Sequence, residues 1–425
     1  MSVSAIGAIL ALVVAIILIL KKIPPTYAMI IGAMIGGIVG GVGLSNTVTY
    51  MIDGTKDIVS AIIRIVSAGI LAGTLIKSGA AARIAESIVK KLGTKNALLA
   101  MTLATWLLTA VGVFGDVAII TVAPIGIQIG QKAGYRKLGI LIAMIGGVKA
   151  GNVMSPNPNA IAAAETFKVP LTSMMAAGIP AALTAIIVTS IIAKRLSTKG
   201  TEVVAETEVG AGNIVDSNVN LPSLGASLVG PAVTILLLLC RPIFNITIDP
   251  LIALPIGGFV GIVAMRKMKH TISYLEFGLA KMSGVAMLLI GTGTLSGIIA
   301  NSALKDAIIG ALNAVGLPAF LLAPISGILM GAASASSTAG TALASQVFGQ
   351  TILSYGVAAL AAGAMIHAGS FVFDGLPHGS FFHVSAGAVN MEIKERLKLI
   401  PYESLIGICM ATVTTILYGV IKILG

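Results

Sequence analysis

The sequence predicts an all-α polytopic membrane protein built from two inverted-topology repeats, each with a re-entrant hairpin and a broken transmembrane helix. Of the 425 residues, 56% are hydrophobic and only 10% are charged, and the mean hydropathy is +1.02. Soluble domains carry about 25% charged residues, so water is not the main solvent of this chain. Apolar runs of about 20 residues, long enough to cross about 30 Å of hydrocarbon, recur along its whole length.

The basic residues of the chain indicate membrane topology and not nucleic-acid binding. The net charge is +11, but the basic residues fall in short stretches beside apolar runs. The first run, Ile6 to Leu20, has no basic region before it and ends in Lys21 and Lys22, which is atypical of a cleaved signal peptide. We therefore expect a retained membrane span, membrane lipid as the surrounding partner and no nucleic acid.

A polar stretch from Lys194 to Pro222 divides the sequence into halves that match. The first span ends at Leu20 and its counterpart at Cys240, and Gly93 corresponds to Gly316 at nearly the same offset. Internal repeats of this kind are typical of secondary transporters. The sequence therefore predicts a first repeat over 1–196, a cytoplasmic connector over 197–222 and a second repeat over 223–425.

The distribution of lysine and arginine predicts that the two repeats have opposite orientations. The first span ends in two lysines, whereas its counterpart ends in Arg241 alone, and the bias is reversed after the second span, where Arg266 and Lys267 follow the counterpart. Short loops rich in basic residues stay in the cytoplasm. This rule puts both termini outside and counts Lys281 among the cytoplasmic loop residues.

Two apolar segments turn back in their middle. Residues 96–129 turn around Val111 to Asp116, and residues 318–350 turn at a hydroxyl-rich tip between Gly331 and Thr341. The arms of the first segment, about 13 to 15 residues long, are too short to cross a bilayer. We interpret both segments as re-entrant hairpins that enter from opposite sides.

Two further segments are interrupted spans. Residues 138–164 contain Pro156 and Pro158, which lack N–H groups and push the preceding residue out of the α region. Residues 356–385 break between His367 and Gly379. Unwound backbone at membrane depth is tolerated where it lines a cavity, so these breaks predict a transport site.

Small and polar side chains at the tips and breaks are the candidates for substrate binding, since they add neutral donors and acceptors to the freed backbone groups. The hydroxyls of the second tip have an alternative use, because small residues also allow tight helix packing in membranes. The candidate set is Gly115, Asn152, Ser155, Pro156, Asn157, Asn159, Ser336, Ser337, Thr338, Thr341 and His367.

Three ionisable residues are candidates for proton coupling, namely Asp116, Asp374 and His378. Acidic residues inside a membrane are functional candidates by default. Asp116 has the alternative role of capping the second hairpin arm. Asp374 and His378 are spaced to share a proton if the turn between them is helical, or else form a structural polar pair that holds the break open.

Lys149 and the histidines have simpler interpretations. Lys149 either attracts an anionic substrate or extends along its apolar stem to the cytoplasmic interface, and the sequence favours the second interpretation. His367, His378 and His383 lie near Asp374, but neither a zinc-protease motif nor a closed Cys/His set accompanies them. We expect no metal, no cofactor and, without a nucleophile–base pair or nucleotide loop, no enzyme.

Three motifs carry a resemblance that covers the whole chain: GVFGDVAIITVAPI, SPNPNAIAAAE and IHAGSFVFDGLPHGSFFH. With the paired hairpins and broken helices, they resemble the gluconate:proton symporter-type permeases, within the ion-transporter superfamily that includes citrate and dicarboxylate carriers. Gluconate permeases carry Pro-His-Pro where this chain has Pro156-Asn157-Pro158, so the resemblance is stronger for the fold than for the substrate.

The resemblance implies proton-coupled symport of a small organic anion across the cytoplasmic (inner) membrane. Candidate substrates are a gluconate-like sugar acid, a hydroxy acid, and citrate or a dicarboxylate, and H⁺ is the expected coupling ion, with Na⁺ open. Half-helix N-termini would attract the carboxylate. The resemblance also implies a homodimer in which a transport domain moves against a scaffold. The alternative is a sodium/proton antiporter or another inorganic ion exchanger on the same fold, which the hydroxyl-rich second tip keeps open.

Overall fold

The computed structural model describes residues 2–202, 221–304, 307, 310 and 318–424. The described part of the chain is helical, with one isolated bridge between Val3 and Ser302. Within the described residues, five segments are long and apolar enough to cross a membrane: Val59–Lys77, Leu171–Leu196, Leu224–Arg241, Met268–Ala300 and Ile393–Val420. The predicted all-helical polytopic fold is confirmed. Residues 203–220, most of the expected connector, lie outside the described residues.

Eleven α-helices are described before the connector. They are α1 (Ala5–Leu20), α2 (Pro25–Val39), α3 (Gly43–Lys56), α4 (Val59–Lys77), α5 (Ala80–Leu92), α6 (Ala97–Ala110), α7 (Gly115–Lys132), α8 (Lys137–Asn152), α9 (Pro158–Thr166), α10 (Leu171–Ala177) and α11 (Ile179–Leu196). A 3-10 turn over Thr94–Asn96 leads into α6.

The described helices after the connector begin with a pair of apolar helices and a long helix. They are α12 (Leu224–Phe244), α13 (Pro250–Ala264), α14 (Thr271–Ala300), α15 (Leu322–Ser334), α16 (Ser337–Ser354), α17 (Ala359–Gly369), α18 (Ser380–Ala388), α19 (Ile393–Leu397) and α20 (Ile400–Thr414). A π-helical segment, Thr415–Val420, continues α20.

The long helix α14 packs against α2, α3 and α4, so it links the two halves of the chain. Its contact with α4 is made by glycines. A Cβ atom added at Gly73 would lie 2.2 Å from the carbonyl oxygen of Tyr274, and one added at Gly278 would lie 2.0 Å from the carbonyl oxygen of Gly69. Small residues let helix backbones approach closely where lipid provides no hydrophobic driving force.

Gly73→Ala is therefore expected to separate α4 from α14 and to destabilise the protein by about 1–3 kcal/mol, because overpacking forces the backbones apart. The measurement is the Tm of the detergent-purified protein, with a decrease of several degrees expected. Gly225→Ala is the matched control, since a Cβ atom at Gly225 meets nothing within 4 Å. An equal Tm for the two variants would contradict the close packing of α4 and α14.

Three of the four interruptions in the described helices have local causes. Gly112, at φ +98°, lies in the turn between α6 and α7, and Ala335, at φ +45°, ends α15. Pro158 is the first residue of α9, where a missing N–H does no harm, and the side chain of Asn157 accepts from Ala160 N at 3.1 Å as its cap. Residues 370–379 are non-helical between α17 and α18.

Candidate functional site

The two interrupted helices meet at a buried ion pair. Lys149, in the last turn of α8, is 1% exposed and pairs with Asp374 in the non-helical segment after α17. The Lys149 ammonium also donates to the carbonyl oxygen of Phe371 at 2.6 Å. The expectation that Lys149 extends to the membrane interface is wrong, because the unwound backbone and a carboxylate bind its charge inside the protein.

Asparagines of the first interruption connect it to the second hairpin. Asn157 Nδ2 donates to the carbonyl oxygen of Asn152 at 2.8 Å, which closes the turn between α8 and α9. Thr338 Oγ1 donates to Asn159 Oδ1 at 2.5 Å, which ties the start of α16 to α9. The asparagines therefore fix the geometry of the break through side-chain bonds to neighbouring backbone and to Thr338.

A cavity of about 530 Å³ lies where the hairpin turns and the interrupted helices meet. Three helix N-termini line it: that of α7 through Phe114 to Asp116, that of α16 through Ser336 to Ala339, and that of α18 through Gly379 to Phe381. Residues at the start of α2 and in the middle of α14 also line it. The volume is within the range of small-molecule sites.

The three N-termini make the cavity attractive to an anion. Each helix terminus carries a partial positive charge and N–H groups without intrahelical partners. Phe114 and Gly379, the cap residues of α7 and α18, form no side-chain cap, whereas Ser336 Oγ accepts from Ala339 N at 3.3 Å in α16. Backbone donors of α18 thus remain available to a carboxylate or phosphate oxygen, whereas Val117 N in the first turn of α7 already donates to Asp116 Oδ1 at 2.9 Å.

A second ion pair lies in the lining of the cavity. Lys281 Nζ lies 3.2 Å from Asp116 Oδ2, and about a third of each side chain is exposed, so both are open to solvent and to a ligand. Lys281 was counted among the cytoplasmic loop residues on sequence grounds, but it lies inside α14 and lines the cavity. An isolated lysine within an apolar helix was the signal that could have identified it.

The structure brings together some of the predicted site residues and separates others from the cavity. Those lining it are Gly115, Asp116, Asn152, Ser336, Ser337, Thr338, Asp374 and His378. The remaining candidates, Ser155, Pro156, Asn157, Asn159, Thr341 and His367, lie outside this lining and are buried. Among them, Thr341 hydrogen-bonds Ser370 at 2.7 Å, and His367, 1% exposed, packs beside the ring of Phe371.

The histidines of the second interruption contact backbone groups. His378 Nε2 lies 3.2 Å from the carbonyl oxygen of Ala333, and His383 Nε2 lies 2.8 Å from that of Pro377. Asp374 and His378 thus have different partners, because the turn between them is not helical. A neighbouring cavity of about 370 Å³ shares His378 with the main one and reaches Lys22 and His383.

A third ion pair packs next to the second interruption. Arg396 donates to both carboxylate oxygens of Glu403, at 2.8 and 3.0 Å, and the side chains are 0% and 1% exposed. Arg396 Nε also donates to Ser385 Oγ at 3.0 Å, and the guanidinium lies 4.7 Å from the ring centre of Phe382. Sequence reasoning missed this pair, which anchors α18 to α20.

A smaller charged cavity of about 240 Å³ is a weaker candidate site. Its Arg64 is already bound by two carboxylates, Asp249 at 2.6 Å and Glu165 at 2.9 Å. An entering anion would have to displace them. The 530 Å³ cavity, with three helix N-termini directed at it, is therefore the better candidate for an anion site.

Comparison with known proteins assigns the chain to a family of transporters. The sequence model of the GntP family permeases matches residues 2–421. An uncharacterized transporter of Haemophilus influenzae is 58% identical over 421 residues, covering 99% of both chains. The high-affinity gluconate transporter of Escherichia coli is 26% identical over 227 residues, covering 53% of this chain and 50% of its own.

A solved structure shares the fold. The crystal structure of the YdaH transporter of Alcanivorax borkumensis superposes with a TM-score of 0.62 at 15% identity, covering 89% of both chains. The resemblance to gluconate-type permeases is confirmed, as is the expectation that the chain is not an enzyme. Because the family model spans nearly the whole chain, this multi-pass membrane protein belongs to the GntP family of permeases.

Proposed function

We propose that this permease carries out proton-coupled symport of a small organic anion across the cytoplasmic (inner) membrane. The observation that carries the proposal is the convergence of the N-termini of α7, α16 and α18 on one 530 Å³ cavity. An anionic group gains from the partial positive charge of each helix and from its free N–H groups. The same helix termini disfavour an inorganic cation, which would need oxygen ligands such as the hydroxyls of the turn before α16 to bind here.

The other cavity-lining groups favour a hydroxylated carboxylate. Residues with hydroxyl or amide side chains line the cavity, namely Asn152, Ser336, Ser337, Thr338 and Ser380. Such groups both donate and accept hydrogen bonds, which matches the hydroxyls of a sugar acid or hydroxy acid. The gluconate transporter among the relatives supports a gluconate-like substrate, with citrate or a dicarboxylate as further members of the class.

Ionisable groups in the same cavity support proton coupling. Asp116, Asp374 and His378 all line it, so a proton bound by any of them lies near the bound anion. Neutralising a carboxylate beside an incoming anion removes a repulsion, which makes proton and anion binding favour each other. Na⁺ is the alternative coupling ion, and the hydroxyl-rich turn before α16 is where it would bind.

We further propose that the helix order reflects two inverted repeats. In each half, a helical hairpin (α6–α7 or α15–α16) precedes an interrupted helix (α8–α9 or α17–α18). If both hairpins are re-entrant, the four elements form a transport domain that moves against the remaining helices, with the protein acting as a lipid-embedded homodimer. The cavity would open to the cytoplasm through Lys22 and His383.

The test is uptake of labelled gluconate, citrate, succinate, lactate and 3-hydroxybutyrate into proteoliposomes, with a proton gradient and a sodium gradient imposed separately. We expect one acid to accumulate under the proton gradient alone. Accumulation under the sodium gradient alone would replace H⁺ by Na⁺ in the proposal. If no acid accumulates but sodium moves against protons, the inorganic exchanger on this fold is the correct function.

A further inference from the structure

We propose that Lys281 binds the carboxylate of the substrate. In the empty protein Asp116 pairs with Lys281, and protonation of the Asp116 carboxylate releases the lysine for the substrate. This inference rests on the proposed organic-anion symport and assigns its anion-binding residue and its proton switch. The starting observation is the 3.2 Å contact between Lys281 Nζ and Asp116 Oδ2 across the cavity, where both side chains remain about one-third exposed.

Lys281 is the available cation of this cavity. Among the described residues that line it, Lys281 carries the one permanent positive charge. Lys149 lies behind Asp374, is 1% exposed and is engaged by that carboxylate and by the carbonyl oxygen of Phe371. Inside this cavity, Lys281 is therefore the ammonium group that a bound carboxylate would meet.

The charges facing Asp116 make its protonation and anion binding interdependent. Lys281 faces it from α14, and Asp374 and His378 face the same cavity from the segment after α17. The positive charge of Lys149 balances that of Asp374. With Asp116 ionised, a substrate carboxylate at Lys281 would place two negative charges against one positive charge. With Asp116 protonated, the substrate carboxylate takes the place of the Asp116 carboxylate beside Lys281, and the net charge of the group is unchanged.

The position of the pair links this switch to movement. Asp116 starts α7, in the first hairpin, whereas Lys281 lies in α14, which packs against α2, α3 and α4. Asp116 and Lys281 therefore lie on the two parts that must separate for the transport domain to move. Proton and substrate binding would replace this contact by one between Lys281 and the substrate carboxylate, so that Lys281 has a carboxylate partner in both the empty and the loaded carrier, the two forms of a symporter that must move.

The experiment measures gluconate binding to the detergent-purified full chain by calorimetry as a function of pH, with the other four acids tested alongside. Lys281→Gln is expected to weaken binding about 10- to 100-fold, the value of a charge-assisted hydrogen bond, and Lys281→Arg to weaken it less. Lys77→Gln is the matched control, because Lys77, like Lys281, lies over the ring of Phe277 but does not line the cavity.

The proposed protonation of Asp116 is tested separately, through the pH dependence of anion binding. Because one proton binds together with the anion, wild-type affinity is expected to fall by up to about tenfold per pH unit as pH rises. Asp116→Asn should remove that one-proton dependence while retaining acid-for-acid exchange. Wild-type affinity in Lys281→Gln, or an unchanged slope in Asp116→Asn, would overturn the inference alone. A wild type that binds none of the acids would overturn the proposed function as well.

Discussion

Replacing Lys149 with methionine is expected to destabilise the protein by about 3–5 kcal/mol and to abolish uptake, because it leaves Asp374 as an uncompensated buried charge. Both side chains are buried, at 1% and 6% exposure, and the two lie 225 residues apart in the chain. The measurement is the Tm and the yield of monodisperse protein after detergent extraction. Asp374→Leu should have the same effect, because it leaves the buried Lys149 ammonium without its carboxylate partner.

The double variant Lys149→Met/Asp374→Leu separates folding from transport. Replacing a buried ion pair by hydrophobic residues of similar volume is often harmless to stability, so the double variant should recover most of the lost Tm. It should not recover proton-driven uptake if Asp374 carries the coupled proton. Lys56→Met is the matched control, because Lys56 and Asp53 form an exposed pair, at 69% and 54%, worth about 0–1 kcal/mol.

A folded single variant with wild-type Tm would mean that the Lys149–Asp374 contact does not hold the two interrupted helices together. A double variant that recovers both Tm and proton-driven uptake would remove Asp374 from the candidates for coupling. Asp116 and His378 would then remain as the candidates for proton coupling among the residues that line the cavity.

Much of the fold was predictable because its causes are local. Hydropathy identifies membrane helices from composition alone, since the bilayer requires apolar side chains over a fixed length. Pro158 and Gly112 restrict or free the backbone of their own residues, so the interruption before α9 and the turn before α7 can be located without any tertiary information. The proline pair and the glycine-containing turns are therefore readable from the sequence.

Partners of the charged residues were not predictable in the same way. Lys281 and Asp116 are 165 residues apart, and Lys149 and Asp374 are 225 residues apart. A single sequence does not show which distant residues lie in contact. The interpretation that Lys149 reaches the membrane interface therefore rests on its side-chain chemistry alone. The four-residue spacing of Asp374 and His378 also misled, because helical neighbours meet at that spacing only where the backbone is helical.

Arg396→Met is the second substitution with a large expected effect, a loss of about 3–5 kcal/mol, because Glu403 would remain buried without its partner. The bidentate pair, with distances of 2.8 and 3.0 Å, has almost no exposure to solvent. A Cβ atom added at Gly375 would lie 2.5 Å from Glu403 Oε2, so Glu403 packs directly beneath the segment that holds Asp374. Losing Arg396 should therefore reduce substrate affinity along with Tm.

Arg396→Lys tests whether charge alone is sufficient. Lysine retains the positive charge but cannot form two parallel bonds to Glu403 or stack in the same way on Phe382, so an intermediate Tm is expected. Lys90→Met is the control, since Lys90 pairs with Glu86 while 70% exposed and should change Tm little. If Arg396→Met loses Tm but keeps full substrate affinity, the pair stabilises α18 and α20 without shaping the cavity. Loss of affinity in Arg396→Lys at near-normal Tm would instead mean that the bidentate geometry positions the segment carrying Asp374.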